Sequence, residues 1–159
     1  MDNLVQWFSD AKKIVIVGVG NPIRKDDNVG IEIVRGLEGK VSDSVLLIKS
    51  ETVPESFIEP IIEFKPTHIL IIDAGLLNLS PGSVKLVQSM KIKSVAVSTH
   101  TLPIQIFCEY LRKMTEAKIA MLLIQPENTN FGEGLTDELF LKSRKLINSL
   151  IKIIESIEN

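Results

Sequence analysis

A single cysteine, Cys108, stands in a chain of 159 residues. No internal disulfide is possible, and a reducing, cytoplasmic setting is expected. Cys108 falls in an apolar-periodic segment and reads as a small core residue. No segment approaches the ~20 uninterrupted apolar residues that a membrane span needs. The opening MDNLVQWFSDAKK lacks the cationic start and continuous apolar core of a secretory leader. A soluble protein without membrane insertion is therefore expected. Neither sign of charge dominates, with 18 basic against 20 acidic residues and a formal net charge of -2. No lysine or arginine stripe forms, which makes nucleic acid a poor partner. Repeats, low-complexity tracts and linkers are absent, so one domain over residues 1–159 is expected, large enough to bury roughly 70% of its unfolded surface.

What is present is an alternation of two patterns. Lys13 to Gly20, Thr67 to Gly75 and Ala117 to Pro126 are continuously apolar and β-branched, as strands covered on both faces are. Helical periodicity runs over Asp27 to Leu37, Glu55 to Phe64, Pro103 to Met114 and Asp137 to Ile157, with a short helix over Asn3 to Ser9. Asp43 to Ser50 supplies a fourth strand and Gly82 to Gln88 a fifth. The fifth follows its predecessor through the short turn NLSPG, too short for a crossover helix, so it is expected antiparallel at an edge. The whole predicts an α/β three-layer sandwich around an open, mostly parallel twisted sheet of about five strands. Such sheets place function at the carboxyl ends of their strands.

The loop after the first strand, VGVGNPIRKDDNVG, opens like a nucleotide-binding turn. Counting from Gly18 and Gly20, the third glycine of the dinucleotide fingerprint is replaced by Ile23, and no Gly-Lys-Ser/Thr follows. Glu51 stands where a ribose-binding acid would, but Asp26 and Asp27 at the helix start would repel a pyrophosphate there. Taken alone, the two acids read as an N-cap with a favourable dipole contact. Their company suggests more. Asp73 closes the strand HILIID, and His100 in VAVSTHTLP precedes the next helix, so both belong to the same sheet edge. His68 opens its strand at the opposite edge, where exposure or a structural hydrogen bond accounts for it. Asp27, Asp73 and His100 would form a mixed oxygen and nitrogen donor set suited to a borderline divalent metal. The alternative is three independent polar residues at loop starts.

Other arrangements fit less well. Ser98 or Thr99 with His100 and Asp73 mimics a hydrolase triad, but there is no Gly-x-Ser-x-Gly elbow. Asp73-Ala74-Gly75 with Asp27 faintly resembles the paired acids of aspartic proteases, one of which would have a raised pKa. A phosphoacceptor receiver domain would use Asp26, Asp27, Asp73 and Thr99, but its essential lysine is replaced in Gln125-Pro126. Glu127 would merely line the rim.

From Lys13 to about Leu135, the chain resembles the hydrogenase maturation endopeptidases, in particular the branch acting on hydrogenase-3-type large subunits. GVGNPIRKDDNVG resembles the family's opening motif and TVPESFIEPIIEFKPTHILIIDAGLLNLSPGSV its central block. STHTLPIQIF and IQPENTNFGEGLT resemble its later blocks. The resemblance implies an endopeptidase that removes the C-terminal extension from the nickel-loaded precursor of a [NiFe]-hydrogenase large subunit. It implies Asp27, Asp73 and His100 as nickel ligands, with Asp27 or Asp73 also acting as a base toward water. Gly18, Gly20 and Asn21 are then expected to bind substrate through close backbone approach. Nickel is expected to arrive with the precursor and to bind the free enzyme weakly, and the enzyme to be a monomer or weak oligomer. The three ligands are expected in an exposed cleft.

Overall fold

The computed structural model describes residues 1–51, 54–88 and 101–159, apart from the side chains of 54, 55 and 101–103. In chain order the elements are α1 (Asp2–Trp7), β1 (Ile14–Val19), a 3-10 turn (Lys25–Asn28), α2 (Val29–Leu37) and β2 (Val45–Ser50). A second 3-10 turn (Pro54–Phe57), α3 (Ile58–Phe64), β3 (His68–Ala74) and β4 (Val84–Gln88) follow. The chain then forms α4 (Thr101–Met114), β5 (Lys118–Ile124) and α5 (Asp137–Glu158).

The strands form one sheet in the order β2-β1-β3-β5-β4. β1 pairs in parallel with both β2 and β3, β3 pairs in parallel with β5, and among the described strands only β4 runs antiparallel, beyond β5. The antiparallel edge strand follows from the short NLSPG connection, as the sequence predicts. Every residue of β1 and β3 is buried, which is why these strands read as unbroken apolar runs.

Alternation of side chains divides the core in two. Ile14, Ile16, Leu70 and Ile72 face a layer containing α1, α2 and α5. Val15, Val17, Val19, Ile48, Ile69 and Ile71 face Ile61 of α3 and Ile104, Phe107, Cys108 and Leu111 of α4. The architecture is the expected αβα sandwich. Cys108 is a buried core residue, and burial pushes its thiol up to about 12. Among the described residues, no helix is long and apolar enough to cross a membrane.

Because β1 connects to β2 on one side and lies against β3 on the other, the carboxyl ends of β1 and β3 bound a topological switch point. Glycines determine how closely the next segment can cover it. A Cβ on Gly30 would lie 2.2 Å from the Ile72 carbonyl oxygen and 2.5 Å from that of Val19. A Cβ on Gly18 would lie 2.3 Å from the carbonyl oxygen of Gly30. Helix α2 therefore lies backbone to backbone against β1 and β3, and the 3-10 turn before it is drawn down onto the strand ends.

Candidate active site

Asp73 is the penultimate residue of β3, at the carboxyl end expected for it. Asp27 lies in the 3-10 turn after β1. Both are buried, Asp73 at 0% and Asp27 at 2% exposure, rather than set in the exposed cleft that the sequence suggested. The cause is the close glycine-mediated approach of the turn and α2 to the sheet, which brings the two acids together away from water. Asp73 Oδ1 accepts the backbone N–H of Ala74 at 2.8 Å, while Oδ2 has no partner among the described residues. Burial, reinforced by the negative charge of Asp27, holds the Asp73 carboxyl well above the usual carboxylate range against the opposing Ala74 hydrogen bond.

The third expected ligand, His100, lies outside the described residues, as do Ser98 and Thr99. Helix α4 begins at Thr101, directly after His100 in the chain. Its last residue, Met114, lines a cleft of about 610 Å³ with His68 and Lys118 at the amino edge of the sheet. With ~1.5 Å of rise per residue, the first turn of α4 therefore lies toward the carboxyl edge. Among the described residues, no three His, Cys, Asp or Glu side chains are grouped so as to hold a metal ion.

Asp26 has a different role from its neighbour. It does not cap α2. Its buried carboxylate reaches across to the segment between β5 and α5. Oδ2 accepts the N–H groups of Glu127 at 2.9 Å and Asn128 at 3.0 Å and the Thr136 hydroxyl at 2.8 Å, while Oδ1 accepts Thr136 N–H at 2.8 Å. Thr136 is the residue from which α5 starts, so the charge also sits at a helix N-terminus. Lys25 N–H donates to the Gly132 carbonyl at 3.0 Å and Gly132 N–H to that of Ile23 at 2.9 Å, completing the join between the loops. The cap reading of Asp26 thus gives way to a long-range clamp. Nothing local announces it; the only signal is the run of turn formers in ENTNFGEGLT, whose N–H groups need acceptors.

The opening glycines are used chiefly by the chain itself. The bare face of Gly18 is filled by Gly30, and a Cβ on Gly20 would lie 2.7 Å from the Asp27 carbonyl oxygen. Gly20 N–H donates to the Glu51 carbonyl at 2.9 Å, and Asn21 Oδ1 accepts Ile23 N–H at 3.1 Å, shaping the turn. The helix-packing glycine that the fingerprint seemed to lack is Gly30, displaced along the chain.

The chain matches the model of the HycI hydrogenase maturation protease family over residues 31–155. It belongs to that family. A Methanocaldococcus jannaschii protein named for the same activity is 39% identical, over 98% of this chain and 96% of its own. The hydrogenase 3 maturation protease of Escherichia coli K12 is 26% identical, over 79% of this chain and 80% of its own. The crystal structure of a [NiFe] hydrogenase maturation protease, HycI from Thermococcus kodakarensis, superposes with a TM-score of 0.89 at 29% identity, covering 96% of this chain and 99% of that one. As a hydrogenase maturation protease the chain is a peptidase. The receiver-domain reading also loses its local basis. Gln125, where a receiver needs lysine, instead accepts Leu77 N–H at 2.6 Å through Oε1.

Proposed function

We infer that this hydrogenase maturation protease removes the C-terminal extension from the precursor of a [NiFe]-hydrogenase large subunit once nickel has been inserted. The observation that carries the reading is the buried pair Asp27 and Asp73 at the switch point, with Asp73 Oδ2 unpartnered among the described residues. Two acids brought together out of water form a like-charge pair that a cation relieves, and oxygen donors suit a borderline divalent ion. Nickel is part of the substrate. Asp27, Asp73 and His100 are its contacts on the enzyme, and the precursor's own ligands complete its coordination. The free enzyme therefore holds nickel weakly.

Nickel held between the two proteins positions the neighbouring peptide beside the carboxylates. Water adds to the scissile carbonyl carbon. Asp27 or Asp73 takes the proton that water loses and returns it to the amide nitrogen as the C–N bond breaks. The loop of Gly18, Gly20 and Asn21 forms the wall along which the precursor lies. The enzyme works as a single domain over residues 1–159, in the cytoplasm, a setting supported by its lone buried thiol.

The test uses purified enzyme with metal-free and nickel-loaded precursor, following loss of the extension by mass spectrometry. Only the loaded precursor should be shortened. Equal cleavage of both forms would remove the nickel checkpoint, and full activity in His100→Ala would remove that residue from the site.

A further inference from the structure

Three buried side-chain polar atoms lack a hydrogen-bond partner among the described residues: Asn28 Oδ1, Ser50 Oγ and Asp73 Oδ2. All three residues lie at the carboxyl edge, in the turn after β1 and at the ends of β2 and β3. An orphaned buried group is a standing loss of stability that calls for an explanation. The metal contact proposed above accounts for Asp73. It does not account for Ser50.

The register places Ser50 in relation to Asp73. Ser50 pairs with Val19 across β2 and β1, and Gly18 pairs with Ile72 across β1 and β3. Val19 and Asp73 are the next residues of their strands after that last β1–β3 pair. Ser50, Val19 and Asp73 thus form a transverse row across three adjacent strands. Their side chains share a face, because Ile48, Val17 and Ile71, each two residues earlier, lie together in the core on the α3 and α4 side. Two strand spacings put Ser50 and Asp73 about 10 Å apart. Ser50 is 1% exposed, ending a strand whose preceding inward residue is Ile48. A residue without a polar atom would suit this position better if packing were its only task.

We propose that Ser50 is a substrate-binding residue, its hydroxyl donating to a backbone carbonyl of the precursor segment that crosses the row from Asp73 over Val19. This rests on the reading of the site given above. Ser50 and Asp73 are both buried, on one face of the sheet at its carboxyl edge, so a precursor segment laid across that face past Asp73 comes next to Ser50. A contact about two strands away from the reacting atoms grips the substrate equally before and during the reaction. Its loss therefore falls on KM rather than kcat.

The experiment compares wild type with Ser50→Ala on nickel-loaded precursor, measuring KM, kcat and the denaturation midpoint. Ser50→Ala should raise KM about five- to tenfold, the weight of one neutral hydrogen bond, with kcat within about twofold of wild type. Its denaturation midpoint should be equal or higher, because an unpartnered hydroxyl has been removed. An unchanged KM would overturn the proposal, and so would a lower midpoint, which would show that the hydroxyl has a partner inside the protein. Wild-type enzyme that leaves loaded precursor uncut would overturn the underlying reading and this proposal with it. Wild type that cuts normally beside an equally effective Ser50→Ala would overturn this proposal alone.

Discussion

The two edges of the sheet treat buried polar groups in opposite ways. At the amino edge His68 is as deeply buried as Asp73 is at the other, yet both of its ring nitrogens are engaged. Nε2 lies 3.0 Å from the Trp7 carbonyl oxygen and 3.2 Å from Asp10 Oδ1, and Nδ1 lies 3.0 Å from Thr67 Oγ1. Two acceptors facing Nε2 place the proton of the neutral ring there. Nδ1 is then an acceptor and takes the single proton of the Thr67 hydroxyl, whose oxygen accepts the N–H groups of Lys12 and Lys13, while Lys118 holds Asp10 at 2.8 Å. Trp7 packs edge-on against the imidazole. At the carboxyl edge Asp27 and Asp73 crowd like charges together, and Asn28, Ser50 and Asp73 each leave an atom unpartnered among the described residues. A polar network that closes on itself serves the fold.

The strongest way to break this contrast is to remove the charge of either acid. Asp27→Asn or Asp73→Asn should lower processing of loaded precursor by roughly a thousandfold, the scale of losing an acid–base group. Asp73→Asn should also unfold at higher denaturant concentration than wild type at pH 7. The Asp73 carboxyl has a folded pKa above its unfolded value, so its contribution is most favourable below pH 3.8 and declines as pH rises toward the folded value. The neutral amide escapes that decline. A variant both inactive and less stable would contradict this account of the edge.

Next come changes to what holds the open edge in place. Asp26→Ala strips an acceptor from three N–H groups and a hydroxyl, and should cost about 3 kcal/mol in denaturant unfolding. Gly30→Ala drives a methyl into the Ile72 and Val19 carbonyls and should cost a similar ~3 kcal/mol. Either variant measured within 0.5 kcal/mol of wild type, a margin of roughly the size of surface substitutions, would show that the turn is not pinned as described.

The smallest effect belongs to the closed edge, and its sign is opposite to that of Asp73. Burial lowers the His68 pKa, opposed by Asp10 and the Trp7 carbonyl and assisted by Lys118. The unfolded chain therefore takes up the proton first. Stability from His68 is complete above pH 6.5 and is lost as pH falls through 6.5 toward the folded value. Its share of the slope cannot exceed about 1.4 kcal/mol per pH unit. Denaturation of His68→Gln across pH 5 to 7 should show a flatter profile than wild type. An unchanged slope would place the acid sensitivity elsewhere.

Much of this was legible before any coordinates. Runs such as HILIIDAG and AKIAMLLI announce strands buried on both faces, and the NLSPG turn fixes the direction of β4, because each signal depends only on neighbouring residues. Strand polarity alone sent Asp73 to the carboxyl end and His68 to the other, and the ordered motifs pointed to the protease family. Other features arise between distant segments. Asp26 looks like a cap until the segment after β5 folds across to present Glu127, Asn128 and Thr136, more than 100 residues away. Gly30 looks like a weak point in a helix until α2 meets the carbonyls of Val19 and Ile72. Ser50 carries no motif at all. Its place at the height of Asp73, two strands away, is set by register, in which each strand fixes the height of the next. Local patterning determines which elements form and which end of the sheet carries Asp27 and Asp73. Whether a polar side chain there is paired, buried or left open is decided only when segments far apart in sequence compete for the same space and the same hydrogen bonds.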